Sequence, residues 1–345
     1  MDAPLWTSEY TPSVGNFPQE RVNDQLHAVI NSPLNLFLHG PPGSGKTAAA
    51  RAVARELHDD PENDVITINV ADFFNKTKKE IRNDPRFSQY LQGQVGWTKE
   101  TSIKKYKRNW SKRDMISHII GELAATPPTA SNYKTLILDN AEDLREDFQQ
   151  ALRRIMEQHY ESTQFIFTTR TAGNIIPAIT SRCALISVPS PDPDAIKTIL
   201  ENIAKQEEIQ YEESGLLMIA ARSNGNIREA ILSLQTVATQ EDEVTPETIK
   251  ETLNEIGYTD EAEEIFELAE SGEVWDARKK VDTLLDDEGF SGREAVKLLS
   301  NVAHHRYDTE QLLDAVEAAA EVDMQLTDAR SDRVQVMQFV TNATQ

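Results

Sequence analysis

At 345 residues the chain is long enough for two or three domains, each with its own core. Its 57 acidic against 35 basic residues, net −22, weigh against a nucleic-acid surface over most of the molecule and suit a protein kept solvated in concentrated salt. No run approaches the ~18 apolar residues of a membrane span, no charged-then-apolar leader is visible, and the single cysteine, Cys183, excludes an intrachain disulfide, so a reducing cytoplasm is the expected location. The first twenty residues read as an irregular arm, broken by Pro4, Pro12 and Pro18 and anchored by Trp6 and Tyr10. A helix is expected near Val22 to Ile30, and the apolar run of Leu34, Leu36, Phe37 and Leu38 reads as a short buried strand. Gly40-Pro41-Pro42-Gly43-Ser44-Gly45-Lys46-Thr47 then fits G-x-x-x-x-G-K-[ST]. Glycines at 43 and 45 let successive N–H groups turn toward a phosphate chain, Lys46 reaches its outer phosphates, and the Thr47 hydroxyl can ligate Mg²⁺. The alanine-rich segment from Ala48 to Leu57 is a strong helix former, so the phosphates fall at a helix N-terminus. Pro42, Gly43, Ser44, Gly45, Lys46 and Thr47 are the expected contacts of a nucleoside triphosphate.

Val65 to Val70 alternates in β-branched residues and reads as a second strand. A basic insertion follows, placed at about 76–128 and closed by Thr126-Pro127-Pro128. Between Lys76 and Arg113 it holds 12 basic against 3 acidic residues, leaving 23 against 54 over the rest of the chain. Phe87, Tyr90, Trp97, Tyr106 and Trp110 interleave with the cations, and helical pieces are expected around Ile103 and from Asp114 to Leu123. Leu136-Ile137-Leu138-Asp139 is a third strand ending in a carboxylate suited to a Mg²⁺ shell. Phe148, Leu152, Ile155, Met156 and His159 form a helical stripe, and Phe165 to Thr169 and Ala184 to Val188 are further strands. Strands alternating with helices imply an α/β domain built on a parallel sheet, with the nucleotide beyond the strands' carboxyl ends. Pro189, Pro191 and Pro193 mark a boundary, and everything from Asp194 reads helical: Ile196, Ile199, Leu200 and Ile203 share one face, Ile227, Ile231 and Leu234 another. A helix start at Thr245-Pro246 opens a last region, where residues 241–345 carry 27 acidic against 9 basic positions. Its apolar positions, Ala295, Leu298, Leu299, Val302, Val334, Met337, Phe339 and Val340, suit a helical bundle. The expected domains are 1–190 (nucleotide-binding, α/β), 191–241 (helical) and 242–345 (a helical bundle). Cys183 has no basic histidine neighbour in the sequence and reads as structural. His304-His305 face different sides of a helix and suggest no metal site.

Several stretches together resemble one family. Leu5-Trp6, Glu9-Tyr10 and Pro12 are similar to the opening motif of replication factor C small subunits, the AAA+ clamp loaders of archaea and eukaryotes, and Gly40 to Thr47 is similar to their P-loop. Gln149-Gln150-Ala151-Leu152-Arg153-Arg154 with Met156-Glu157, Ser181-Arg182-Cys183, Gly225-Asn226-Ile227-Arg228 with Ala230, Ala320 to Asp323 and Arg333-Val334-Gln335 follow in the family's order. The resemblance covers nearly the whole chain and suggests a divergent archaeal member adapted to salt. It implies an AAA+ P-loop domain, a lid and a collar, with ATP and Mg²⁺ as cofactors. The implied partners are other replication factor C subunits, a sliding clamp and primer–template DNA. It implies that Arg182 is an arginine finger acting on a neighbour's nucleotide, that Arg228 is a lid arginine at the chain's own site, and that Thr47 and Asp139 hold the Mg²⁺. The insertion lies where the family faces DNA, making Lys104, Lys105, Lys107, Arg108, Lys112 and Arg113 candidate DNA contacts; docking on an acidic sister subunit is the alternative.

Three positions depart from the family pattern. Asn140 stands where a glutamate normally polarises the attacking water, and an amide cannot take a proton; losing a general base costs about 10²–10⁴-fold in rate. Arg170 occupies the place of a sensor asparagine, and Thr11 that of an arginine. Nucleotide binding is therefore better supported than hydrolysis, with Glu142 the next carboxylate in line. The rival readings are a non-hydrolysing subunit that only donates Arg182, and an AAA+ ATPase remodelling another complex such as a Holliday junction, which Ser181-Arg182-Cys183 and the collar motifs disfavour.

Overall fold

The computed structural model describes residues 5–31, 34–92, 111–254, 259–326 and 331–344. They fall into two compact units, Met1–Thr245 and Pro246–Gln345. The first is built on strands β1 (Leu36–His39), β2 (Val65–Asn69), β3 (Lys134–Asp139), β4 (Thr163–Thr169) and β5 (Ala184–Ser187). Their order is β2-β3-β4-β1-β5 and every pairing is parallel. Helices α1 (Glu20–Asn31), α2 (Lys46–Leu57), α3 (Lys112–Ala125) and α4 (Glu146–Gln158) cover the sheet.

Both faces are buried at the inner strands β1, β3 and β4, which is why these read as largely apolar runs. Successive residues still serve opposite layers. Phe37, Leu136, Leu138, Phe165 and Phe167 join α3 and α4 in one core, while Leu36, Leu38, Ile137, Ile166 and Ile186 join α1 and α2 in the other. The strand order matters most for function: it sets the carboxyl ends of β3, β4 and β1 side by side. α3 begins at a reciprocal cap between Ser111 and Asp114, close to the expected helix from Asp114; the piece expected at Ile103 lies outside the described residues. His159 is the C-cap of α4 and not part of its buried stripe.

Beyond the sheet come α5 (Pro193–Gln206), α6 (Glu213–Arg222) and α7 (Ile227–Gln240). This part is not wholly helical as expected, because β6 (Gln210–Tyr211) pairs in parallel with β7 (Glu243–Val244). Two residues per strand are too few to leave an alternation in the sequence.

The second unit contains α8 (Pro246–Asn254), α9 (Thr259–Glu270), α10 (Val274–Asp282), α11 (Gly292–Arg306), α12 (Thr309–Leu326) and α13 (Asp332–Ala343). Phe266, Val281, Leu299, Val322 and Phe339 lie in its core. On α13 the buried stripe is Val336, Phe339, Val340 and Ala343, at the i, i+3, i+4, i+7 spacing of one helix face. Val334 falls off that spacing and is exposed, against the expectation. No helix among the described residues is long and apolar enough to cross a membrane.

Candidate nucleotide site

The glycine loop leaves β1 and enters α2 through Gly45, which has φ 101°. Gly43 is at φ 70°, and a Cβ there would lie 1.7 Å from Asn226 Oδ1. Only glycine fits, because the loop must turn left-handed while the start of α7 presses on it. The first backbone N–H of α7, at Ile227, donates to the Gly43 carbonyl at 3.0 Å, so a helix-end donor is satisfied by the loop itself. Gln19, buried, donates to the carbonyls of Ser44 at 3.1 Å and Pro189 at 2.7 Å. The Ser44 hydroxyl is buried without a hydrogen-bond partner among the described residues.

A cleft of about 1350 Å³ opens over this loop, between the sheet's carboxyl edge, the Tyr10 to Pro18 arm and the α5 and α7 faces carrying Ile199, Ile227 and Ile231. Lys46 is buried at its floor and donates to the Pro41 carbonyl at 2.5 Å. Burial lowers the pKa of its ammonium; Glu142 and Asp139 oppose that, while Arg170 and Arg228 add to it. Thr47 Oγ1 donates to Asp139 Oδ1 at 2.7 Å, and Thr168 Oγ1 donates to the same oxygen at 2.5 Å. A hydroxyl and a carboxylate thus meet beside the loop, a donor set suited to a hard divalent cation. The residues present fit a magnesium triphosphate.

Asn140 follows Asp139 in the left-handed region, φ 57°, ψ 52°, with its backbone N–H on Thr168 Oγ1 at 3.2 Å. Glu142 does not face the cleft as a free base: its carboxylate accepts from Arg170 Nε at 2.5 Å and from the Arg170 backbone N–H at 3.2 Å. Burial pushes the Glu142 carboxyl up, but the Arg170 guanidinium, backbone N–H groups and the Thr169 hydroxyl outweigh it and hold the carboxyl below its ordinary range. Arg228, exposed at the start of α7, lines the same cleft.

Three family models match successive parts of the chain: "DNA polymerase III, delta subunit" over residues 31–192, "RCF1/5-like, AAA+ ATPase lid domain" over 198–239, and "Replication factor C C-terminal domain" over 258–342. The replication factor C small subunit of Thermofilum pendens is 30% identical over 353 residues, covering 99% of this chain and 96% of the relative. Those of Picrophilus torridus and Methanocella arvoryzae are 29% and 28% identical, each covering 96% of this chain and 94% of the relative. The chain belongs to the replication factor C small subunit family. Among solved structures, a Thermotoga maritima RuvB Holliday junction branch migration motor overlays at TM-score 0.47 and 16% identity, covering 86% of this chain and 84% of that one, a likeness too loose to carry function. With the family come the AAA+ P-loop fold, nucleotide binding and work alongside other subunits.

The remaining expected site residues lie elsewhere. Arg182 precedes β5 and stands at the sheet's amino edge, where Asn35 Nδ2 donates to its carbonyl at 3.3 Å. Its guanidinium donates to the Ala178 carbonyl at 2.7 Å and to Glu157 at 2.6 Å. Four strand residues at about 3.3 Å each separate it from the glycine loop. Cys183 Sγ donates to the Ile179 carbonyl at 3.4 Å, and burial pushes its thiol up to about 12, as a structural cysteine requires. Of the basic insertion, Lys112 donates to the Phe74 carbonyl and Arg113 lies 3.6 Å from Asp147; Lys104, Lys105, Lys107 and Arg108 lie outside the described residues. His304 and His305 both fall within α11; among the described residues no three His, Cys, Asp or Glu side chains converge on a metal position.

Gln19, the seating of Asn226 against Gly43 and the Glu142–Arg170 pair were not readable from the sequence. Asn226 carried a signal, as a helix N-cap whose side chain accepts from Glu229 N–H. Gln19 carried none. In the arm, Trp6 is buried and its backbone N–H donates to Gln235 Oε1, and Tyr10 donates to Glu207, which pushes its hydroxyl up to about 12. The anchors expected from the sequence therefore hold the arm against the lid helices.

Proposed function

We propose that this chain is an ATP-binding subunit of a clamp loader, in which ATP closes a ring of subunits around primer–template DNA and holds a sliding clamp open. The nucleotide domain (1–190), lid (191–241) and collar (242–345) are the parts of that reading. Pro42, Gly43, Ser44, Gly45, Lys46 and Thr47 hold the phosphates, Thr47 and Asp139 the Mg²⁺, and Arg228 reaches the chain's own nucleotide from the lid. The bound cation would neutralise phosphate charge. The observation that carries the reading is the split in placement: Lys46, Thr47, Asp139 and Arg228 share one cleft, whereas Arg182 stands at the opposite edge of the sheet. A cation there serves a nucleotide bound by another subunit, which is what a trans arginine does.

The chain's own hydrolysis is weak in this proposal. Asn140 can hold a water by hydrogen bonds but cannot accept its proton, and Glu142 is committed to Arg170. The stricter form, a subunit that never hydrolyses and only donates Arg182, is favoured by the same two observations.

The test uses the chain alone and in its native assembly. Lys46→Ala should abolish binding of a fluorescent ATP analogue, because the buried ammonium and the loop N–H groups are the main phosphate contacts. In the assembly, Arg182→Ala should cut turnover at the neighbouring site by about 10³–10⁵-fold while leaving this chain's own ATP binding intact. Equal ATP binding by wild type and Lys46→Ala would sink the site assignment. Unchanged turnover in Arg182→Ala would remove the finger.

A further inference from the structure

One buried amide ties together two segments that lie far apart in the chain. Gln19 stands just ahead of α1, and its own carbonyl accepts from the backbone N–H groups of Val22 at 3.0 Å and Asn23 at 3.2 Å, which fixes it to the start of that helix. Its side chain donates to the Ser44 carbonyl in the glycine loop at 3.1 Å and to the Pro189 carbonyl at 2.7 Å. Pro189 lies on the connection from β5 to α5, where the chain crosses from the sheet to the lid helices. Both neighbours are acceptors, so the amide nitrogen must face them. The amide oxygen is buried without a partner among the described residues. A carboxylate of the same shape would set its oxygens against two carbonyls.

These two bonds close a ring of contacts. Gly225, at φ 82°, packs on the residue after Pro189: a Cβ there would lie 2.5 Å from Ser190 Cβ. The next two residues, Asn226 and Ile227, bear on Gly43, by close packing and by the Ile227 N–H bond. Gly43 leads directly into Ser44. Glycine loop, Gln19, connection and lid turn therefore touch in sequence and return to the loop. In a planar trans peptide the C=O and N–H point opposite ways. Holding the Ser44 carbonyl toward Gln19 thus turns the Gly45 N–H away from it, and Gly45 lines the cleft. One nitrogen sets the direction of a phosphate donor and also holds the connection that carries the lid.

We infer that Gln19 is a positioning residue that couples phosphate binding in the glycine loop to the seating of the lid. This rests on the nucleotide-site reading above. A phosphate that orders the loop fixes the Ser44 carbonyl, and through Gln19 it fixes the Pro189 connection. By linkage, a seated lid raises nucleotide affinity by the same factor. The nucleotide need never touch Gln19 itself.

The experiment titrates a fluorescent ATP analogue, with Mg²⁺, against the full chain and follows amide hydrogen exchange along α7 with and without ATP. Gln19→Met keeps the volume and removes both donors. It should weaken ATP binding about 10- to 100-fold, because two carbonyls lose a buried donor. At saturating ATP it should also leave the start of α7 less protected than in the wild type. Gln19→Glu should lose at least as much. Asn226→Ala breaks the ring at its other contact with the loop. Independent contacts would give losses that multiply to within about twofold, whereas the double variant should lose clearly less than that product. Should Gln19→Met not fold, Gln19→Asn takes its place, since it keeps an amide too short to span both carbonyls. Unchanged ATP affinity, wild-type protection of α7 at saturating ATP, or losses that simply multiply would each overturn the inference. Failure of the wild type to bind the analogue would overturn the site itself. Binding that Lys46→Ala abolishes but Gln19 variants leave uncoupled from α7 would keep the site and remove only this inference.

Discussion

Asn140 sits where β3 ends and the chain reverses, in a left-handed conformation that asparagine adopts more readily than glutamate. The same residue that removes the base thus also eases the backbone. Asn140→Glu sets these two effects against each other. We expect it to cost about 1 kcal/mol of stability, the usual burden of a left-handed non-glycine residue, and to raise hydrolysis at this chain's own site by up to about 10²-fold. Single-site turnover, measured in an assembly whose other P-loops are disabled, checks the second effect, and denaturant unfolding checks the first. Vigorous turnover by the unmodified chain at its own site, lost in Lys46→Ala, would show that Asn140 is no handicap. Glu142 would then have to leave Arg170 to act.

Between elements, one buried carboxylate organises the connection from α3 to β3. Asp64, fully buried, accepts from the backbone N–H groups of Thr129, Ala130 and Ser131 at 2.6, 3.1 and 3.0 Å. Burial raises its pKa, but these three donors and the Ser131 hydroxyl overcome that and hold it at about 2, below an ordinary 3.8. A depressed carboxylate pKa stabilises the fold above the unfolded value. The contribution is complete above about pH 4 and is lost as pH falls through about 2. Asp64→Ala should therefore cost at least about 2 kcal/mol at neutral pH, because three donors lose their acceptor. The difference between wild type and variant in denaturant midpoint should shrink as pH falls from about 4 toward 2; a difference constant across that window would show that packing, not charge, carries the effect. Nothing in the local sequence announces this, and the same limit governs the rest of the molecule. The inner strands were legible because burial on both faces makes them largely apolar, and Lys46, Thr47 and Asp139 because each depends on immediate neighbours. Glu142–Arg170, 28 residues apart, and Gly43–Asn226 were not, because packing of distant elements chooses those partners.

At the scale of the whole molecule, charge is the dominant fact: a local excess of cations from Lys76 to Arg113 in a chain of net −22. Part of that excess is consumed internally. Lys76 and Arg86 both pair with buried Asp84, holding its carboxyl well below the ordinary range, and Lys112 and Arg113 have partners on their own unit. A DNA-binding role for the segment therefore rests chiefly on Lys104, Lys105, Lys107 and Arg108. At molar salt the Debye length is about 3 Å, so only direct contacts with phosphates would survive, and each releases condensed counterions. Replacing these four residues with glutamine should flatten the slope of log K against log salt for duplex DNA by up to about 3.6, at roughly 0.9 per contact. Replacing Lys112 and Arg113 should change it less, since their charges are already engaged. The measurement is DNA affinity of the assembled complex across a salt series. An unchanged slope in a four-residue variant that fails to assemble would place the segment against an acidic sister subunit instead.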